Sequence, residues 1–167
     1  MKNQRAFQII STPLGDMLIQ SFNEKLTHCD FIEGKIYRSL HNIKKQKNYC
    51  RKTTLLTETQ YQLHQYFNGE LHQFDLPLAA QGTTFQQKVW QALQTITYGE
   101  TRSYAEIATK IHAPGAARAV GAANGKNPLA IIVPCHRIIG SNGSLTGYAG
   151  GLDRKKALLH LEQSIAG

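Results

Sequence analysis

Short apolar runs separated by turn residues open the chain, and from residue 84 onward the apolar positions recur every three or four residues instead. Ala6 to Ile10 predicts a strand, Pro13-Leu14-Gly15 a turn, Met17 to Ser21 its hairpin partner, and Leu26 to Ile32 a third strand. Lys35 to Lys52 is polar and basic without a clear period and reads as a loop with one helical turn at most. Leu56, Gln60, Leu63 and Phe67 step at helical spacing toward a stop at Asn68-Gly69, and Leu71 to Leu78 reads as extended. Nothing in this first half carries a catalytic pattern, so residues 1–80 read as a small α+β scaffold domain.

Ala79 to Gly82 predicts a linker into a second domain, residues 81–167. Thr84 with Gln87 has capping-box spacing, Phe85, Val89, Ala92, Leu93 and Ile96 mark one apolar face, and Gly99 is the expected helix stop. Ser103 and Glu106 repeat the box ahead of a stripe of Tyr104, Ile107, Ala108 and Ile111. After the turn Ala113-Pro114-Gly115, residues Ala116 to Asn124 predict a third helix, rich in alanine and carrying Arg118. Short helices joined by a tight turn outline a helix-turn-helix, which serves equally as a DNA reader or as a packed helix pair. Gly125 to Pro128 predicts a turn, Ile131 to Val133 a strand, Asn142-Gly143 a further turn, and Leu152 to Gln163 a closing helix with Asp153 in its first turn.

Composition narrows the class. With 167 residues, 41% hydrophobic and 18% charged, the chain reads as an ordinary soluble globular protein with one large core or two small ones. No apolar stretch approaches a membrane span and the first residues lack a signal-peptide core, so a cytoplasmic location is expected, or a nuclear one in a eukaryote, with no further domain ahead of this one. The net charge of +8 suits a polyanionic partner; residues 1–80 hold 10 basic and 7 acidic side chains, residues 81–167 hold 9 and 4. Cys29, Cys50 and Cys135 cannot all pair, which fits a reducing compartment. His28, Cys29, His41 and Cys50 match no compact zinc spacing, and no metal is expected.

Candidate chemistry centres on Pro134-Cys135-His136-Arg137, set between apolar runs. A thiolate is a strong nucleophile that needs activation, and a histidine beside it is a candidate base. On a strand, however, neighbouring side chains face opposite ways, so contact between the two is not given by adjacency. The closing helix adds Glu162, on the stripe of Leu158, Leu161 and Ile165. A carboxylate there is either a surface-edge group near the terminus or a buried acid holding a histidine in one tautomer.

Taken in order, Ser103-Tyr104, Ala117-Arg118-Ala119-Val120-Gly121, Asn127-Pro128, Pro134-Cys135-His136-Arg137, Gly147-Tyr148 and Gly150-Gly151 resemble the O6-alkylguanine-DNA alkyltransferase family, from about Phe85 to Glu162. The resemblance implies an α+β fold: a small ribonuclease-H-like amino-terminal domain, then a winged helix-turn-helix domain holding the thiol. It implies a partner, double-stranded DNA containing alkylated guanine, a monomer in solution, no cofactor and no membrane. By position, Cys135 would accept the alkyl group, His136 would be its base through a water, and Glu162 would orient His136. Asn127 would brace the site, Tyr104 would donate to the leaving guanine, and Tyr148, Ala149, Val133 and Pro134 would line the pocket. Arg118 would fill the space of a flipped base from a helix whose Ala117, Ala119 and Gly121 allow close approach to DNA. Transfer to sulfur yields a thioether, so each molecule would act once, on O6-alkylguanine, with O4-alkylthymine as a further candidate substrate. Two departures stand out: Ala149 has no hydroxyl where some relatives carry serine, and the zinc ligands of some relatives are not recognisable. The alternative is a lesion-sensing or regulatory winged-helix protein without transfer activity, against which Cys135 argues.

Overall fold

The structure, a computed structural model, describes residues 4–33 and 52–167; the segment expected to be a loop falls outside them except for Lys52. The chain divides into two compact units, Met1–Ala80 and Gln81–Gly167.

In the first unit, β1 (Arg5–Thr12), β2 (Gly15–Phe22) and β3 (Lys25–Phe31) form an antiparallel meander in that order. Asn23 and Glu24 join β2 to β3 with φ of 48° and 60°, the positive pair that a two-residue hairpin turn requires. Helix α1 (Thr54–Phe67) packs on the sheet, its amino end capped by the Thr53 hydroxyl, which accepts from the Leu56 N–H at 3.2 Å. Its buried face is Leu56, Thr59, Gln62, Leu63 and Tyr66, so the expected stripe is out of phase: Gln60 is exposed and Phe67 half-buried. Two polar residues can line the buried face because they are satisfied there. Gln62 bonds both ways to the Asp75 backbone, at 2.9 and 3.0 Å, and thereby holds the irregular segment after the helix. That segment runs beside β3, where Leu26 donates to Pro77 and Ala79 donates to Leu26.

In the second unit, α2 (Thr84–Leu93), α3 (Tyr104–Lys110) and α4 (Ala117–Gly125) pack on one another. The capping box of α2 is Thr83 with Gln86, one residue ahead of the expected pair. The helix also stops at Leu93, well short of Gly99, because Thr95 and Ile96 turn back to the Ala92 and Leu93 carbonyls; Gly99 serves a later turn at φ 81°. Ser103 and Glu106 do form the box that opens α3. Trp90 is the keystone of this unit: its indole N–H donates to the Ala123 carbonyl at 2.9 Å, tying α2 to α4, and its ring leaves no room for a side chain at Gly82.

Residues Ile131 to Val133 are not a strand. They form a buried turn in which Val133 N–H bonds the Leu129 carbonyl at 2.9 Å and Ile131 holds φ 70°, a strained conformation for a β-branched residue. An apolar run buried on every side gives no period by which strand and turn could be told apart. Cys135–Arg137 follows as a single 3-10 turn, then β5 (Ile138–Ile139), which pairs in parallel with β4 (Arg102–Ser103). Helix α5 (Leu152–Ala166) runs past the expected end at Gln163, and its buried residues are Lys155, Leu158, Leu159 and Glu162; Leu161 is half-buried and Ile165 exposed.

Trp90→Phe should lower the unfolding free energy by roughly 1–3 kcal/mol, since the buried Ala123 carbonyl loses its donor while the aromatic packing largely remains. Denaturant melts of the two proteins check it, and equal midpoints would remove Trp90 from that role.

Candidate active site

The turn that carries the thiol is held from below by two asparagines. Asn127 Nδ2 donates to the Val133 carbonyl at 2.8 Å and its Oδ1 accepts the Leu129 N–H at 3.0 Å, closing the loop on itself. Asn124, near the end of α4, donates to the Cys135 carbonyl at 3.2 Å. With Pro134 as its cap, the 3-10 turn fans successive side chains about 120° apart, unlike the opposed faces of a strand. Cys135 and His136 therefore diverge without pointing in opposite directions. Both are buried, and Cys135 is a thiol with no disulfide.

Glu162 is completely buried, which excludes the surface-edge alternative. Its carboxylate receives four donors: His136 Nε2 at 2.6 Å, Arg137 Nε at 2.8 Å and Nη2 at 3.0 Å, and the Gly99 N–H at 3.3 Å. These occupy about all the acceptor sites that a carboxylate has. Arg137 also donates to the Ile96 carbonyl at 2.6 Å, and its cation lies 5.7 Å from the centre of the Tyr98 ring. Burial alone would raise the Glu162 pKa, but the hydrogen bonds and charges of His136 and Arg137 outweigh it and hold the group down to about 2. Burial in turn pushes the His136 pKa below its ordinary 6.5, against the opposing pull of Glu162, so the ring is neutral near pH 7. Because the carboxylate carries no proton, Nε2 of that neutral ring must hold the hydrogen, and Nδ1 keeps a lone pair. Among the described residues Nδ1 has no hydrogen-bond partner. The arrangement is a buried histidine fixed in one tautomer, with a basic nitrogen that no hydrogen bond occupies among the described residues.

The remaining candidates are placed around this centre. Tyr104, half-buried at the start of α3, donates its hydroxyl to the Thr146 carbonyl at 3.1 Å, and its ring lies over Gly121 of α4. Arg118 is exposed on α4, with Ala117 half-buried and Ala119 exposed beside it, and no hydrogen bond or ion pair engages Arg118 among the described residues. Val133 and Pro134 are buried immediately ahead of the thiol turn, Tyr148 is half-buried, and Ala149 is exposed in the loop ahead of α5. Sequence reasoning assigned no role to Arg137, Asn124 or Lys155. An arginine and a lysine inside apolar stripes are the signal that could have found the first and last, since a buried charge demands a partner. Burial lowers the Lys155 pKa, and negative charge at Cys135 acts in the opposite sense. The described residues hold no cluster of three or more His, Cys, Asp or Glu suited to a metal, and His41 and Cys50 lie outside them. No helix among them is long and apolar enough to cross a membrane.

Comparison with known proteins agrees with this architecture. Residues 6–80 match the family model for the ribonuclease-like domain of 6-O-methylguanine DNA methyltransferase, and residues 84–164 match the model for its DNA binding domain. The methylated-DNA--protein-cysteine methyltransferase of Mycobacterium bovis is 49% identical over 160 residues, covering 96% of this chain and 93% of the relative. That of Methanosarcina barkeri is 49% identical over 158 residues, covering 95% and 97%. Among solved structures, Mycobacterium tuberculosis OGT in complex with DNA superposes with a TM-score of 0.84 at 48% identity, covering 96% of this chain and 94% of that one.

Glu162→Ala should cost about 3–5 kcal/mol of stability, because it strands a buried guanidinium. The folded carboxylate sits below its ordinary value of 4.5, so its contribution is complete above pH 4.5 and is lost as pH falls toward 2. His136, depressed as well, contributes stability above pH 6.5 that is lost as pH falls through its lowered pKa. Denaturation between pH 4.5 and about 2 should show stability falling with acid more steeply in the native protein than in the Ala variant; parallel curves over that window would refute the assignment.

Proposed function

The chain belongs to the 6-O-methylguanine DNA methyltransferase family, whose two domain models match nearly all of it, and on that premise we propose that Cys135 is the acceptor of the alkyl group. Its activity is DNA repair by alkyl transfer, and DNA is its partner. The observation that carries the assignment of residues is the His136–Glu162 bond of 2.6 Å, which leaves the basic Nδ1 beside the thiol turn.

The reaction proceeds from O6-alkylguanine in duplex DNA, turned out of the stack into the pocket. His136 Nδ1 takes the thiol proton through a water, and Glu162 stabilises the imidazolium so formed. The Cys135 sulfur attacks the alkyl carbon in line, a C–S bond forms, and the C–O6 bond breaks with its electron pair passing to the base. A proton delivered to the base neutralises that charge, with Tyr104 as donor. The product is a thioether, which thiol exchange does not reverse, so each molecule acts once. Arg137 keeps Glu162 ionised before the histidine takes its proton, so the relay starts with its charge in place. Arg118, exposed on α4 among small residues, occupies the gap that the extruded base leaves. Val133, Pro134, Tyr148 and Ala149 surround the base, with a backbone N–H serving O6 in place of the missing hydroxyl at Ala149. The protein works as a monomer.

Intact-mass and peptide analysis after incubation with an O6-methylguanine duplex should find one methyl group, on Cys135, and none in Cys135→Ser. An unmodified Cys135 after long exposure to excess lesion under reducing conditions would sink the assignment. Arg118→Ala should slow repair in duplex DNA about tenfold or more while sparing the reaction with free O6-benzylguanine, because only the duplex must be opened. Equal slowing of both substrates would show that Arg118 is not the wedge.

A further inference from the structure

Lys155 is a buried charge to which the mechanism above gives no task. It is completely buried on α5, and no carboxylate pairs with it among the described residues. Its Nζ donates to a main-chain oxygen, the Thr146 carbonyl, at 3.0 Å. Burying an ammonium against a neutral acceptor is costly, and a methionine of similar length would fill the same space at less cost. Such a residue is expected to serve function before stability.

The acceptor itself indicates which function. The Thr146 carbonyl also takes the Tyr104 hydroxyl at 3.1 Å, and Thr146 Oγ1 donates back to Tyr104 at 3.3 Å. Thr146 lies midway along the irregular segment between β5 and α5 that carries Tyr148 and Ala149. Other bonds of that segment include Gly140 with Ser144, Gly143 with Gly140, Gly151 with Tyr148, and the Arg154 guanidinium on the Gly150 carbonyl at 3.0 Å. The shared carbonyl thus ties the middle of the pocket loop to α3 on one side and to α5, the helix of Glu162, on the other. A carbonyl has two acceptor sites, and here both are used by side chains. If Tyr104 gives its hydroxyl to the base, it must let go of the Thr146 carbonyl, which then keeps the Lys155 ammonium as its side-chain donor.

We propose that Lys155 is a positioning residue of the base pocket, whose ammonium holds the Thr146 carbonyl and the Tyr148-bearing loop in place when the Tyr104 hydroxyl turns from that carbonyl to the bound base. This rests on the alkyl-transfer reading of the site and adds to it the group that keeps the pocket shaped while its proton donor is engaged elsewhere.

The test compares two reactions of the same thiol in wild type and Lys155→Met: single-turnover methyl transfer from an O6-methylguanine duplex at saturating DNA, and alkylation by iodoacetamide, which needs no base pocket. Methyl transfer should slow about ten- to hundredfold, the range that displacement of a positioned reactant produces. Iodoacetamide alkylation should slow at least tenfold less, and amide exchange should rise across residues 145–151 while α2 keeps its protection. Equal slowing of the two reactions would overturn the proposal, because Lys155 would then act through the thiolate alone; so would wild-type transfer with wild-type exchange. Should the Met variant not fold, Tyr104→Phe gives the complementary test: with Lys155 still on the carbonyl, exchange in 145–151 stays at the wild-type level, and a rise overturns the proposal. A wild-type protein that takes iodoacetamide but no methyl would instead remove the underlying reading of the site.

Discussion

Four hydrogen-bond donors on one buried carboxylate hold the second unit together. Glu162 takes His136 and Arg137 from the thiol turn and the Gly99 N–H from the turn after α2, while Arg137 reaches on to the Ile96 carbonyl. Each partner alone would be a costly buried group, and the set is tolerable because the carboxylate and its donors answer one another. The same satisfaction fixes the chemistry. A carboxylate with no proton forces the hydrogen onto His136 Nε2, and a permanently charged arginine keeps the carboxylate in that state. Under the proposed alkyl transfer, structural and catalytic demands therefore meet in one side chain.

The thiol turn depends on a second constraint. Cys135 is held by its backbone. Asn124 bonds its carbonyl from α4, Asn127 closes the preceding loop, and Ile131 accepts a left-handed conformation inside the core. Such strain persists only where surrounding contacts over-determine it. Asn124 and Arg118 sit on the same short helix, so the element that exposes an arginine also carries the brace of the Cys135 carbonyl.

Much of the fold was legible from local signals. The three strands follow from short apolar runs and their turns, the Ser103–Glu106 box from its spacing, and the Asn142-Gly143 turn from its residues. Each misreading has a physical origin. The face of α1 was out of phase because Gln62 is buried by a bond to a distant backbone, which no periodicity contains. The end of α2 differs because a turn through Thr95 and Ile96 closes the helix early, and the turn at Ile131–Val133 because a fully buried run is apolar whatever its shape. At the site, Glu162 was visible as a carboxylate on an apolar stripe, whereas Arg137 and Lys155 broke the same rule and were passed over.

By itself the sequence determined the elements whose signals are local, the excess of positive charge, and which residue types stand in the order that marks an alkyltransferase. Those depend on neighbours within a few positions, or on composition alone. Only the tertiary structure decided that Glu162 is buried, that it binds His136 and Arg137 together, that Cys135 rides a 3-10 turn, and that Lys155 and Tyr104 share a carbonyl. Each of these joins residues far apart in the chain. Burial sets the protonation of such groups, and burial is a property of the packed core, not of any stretch of sequence.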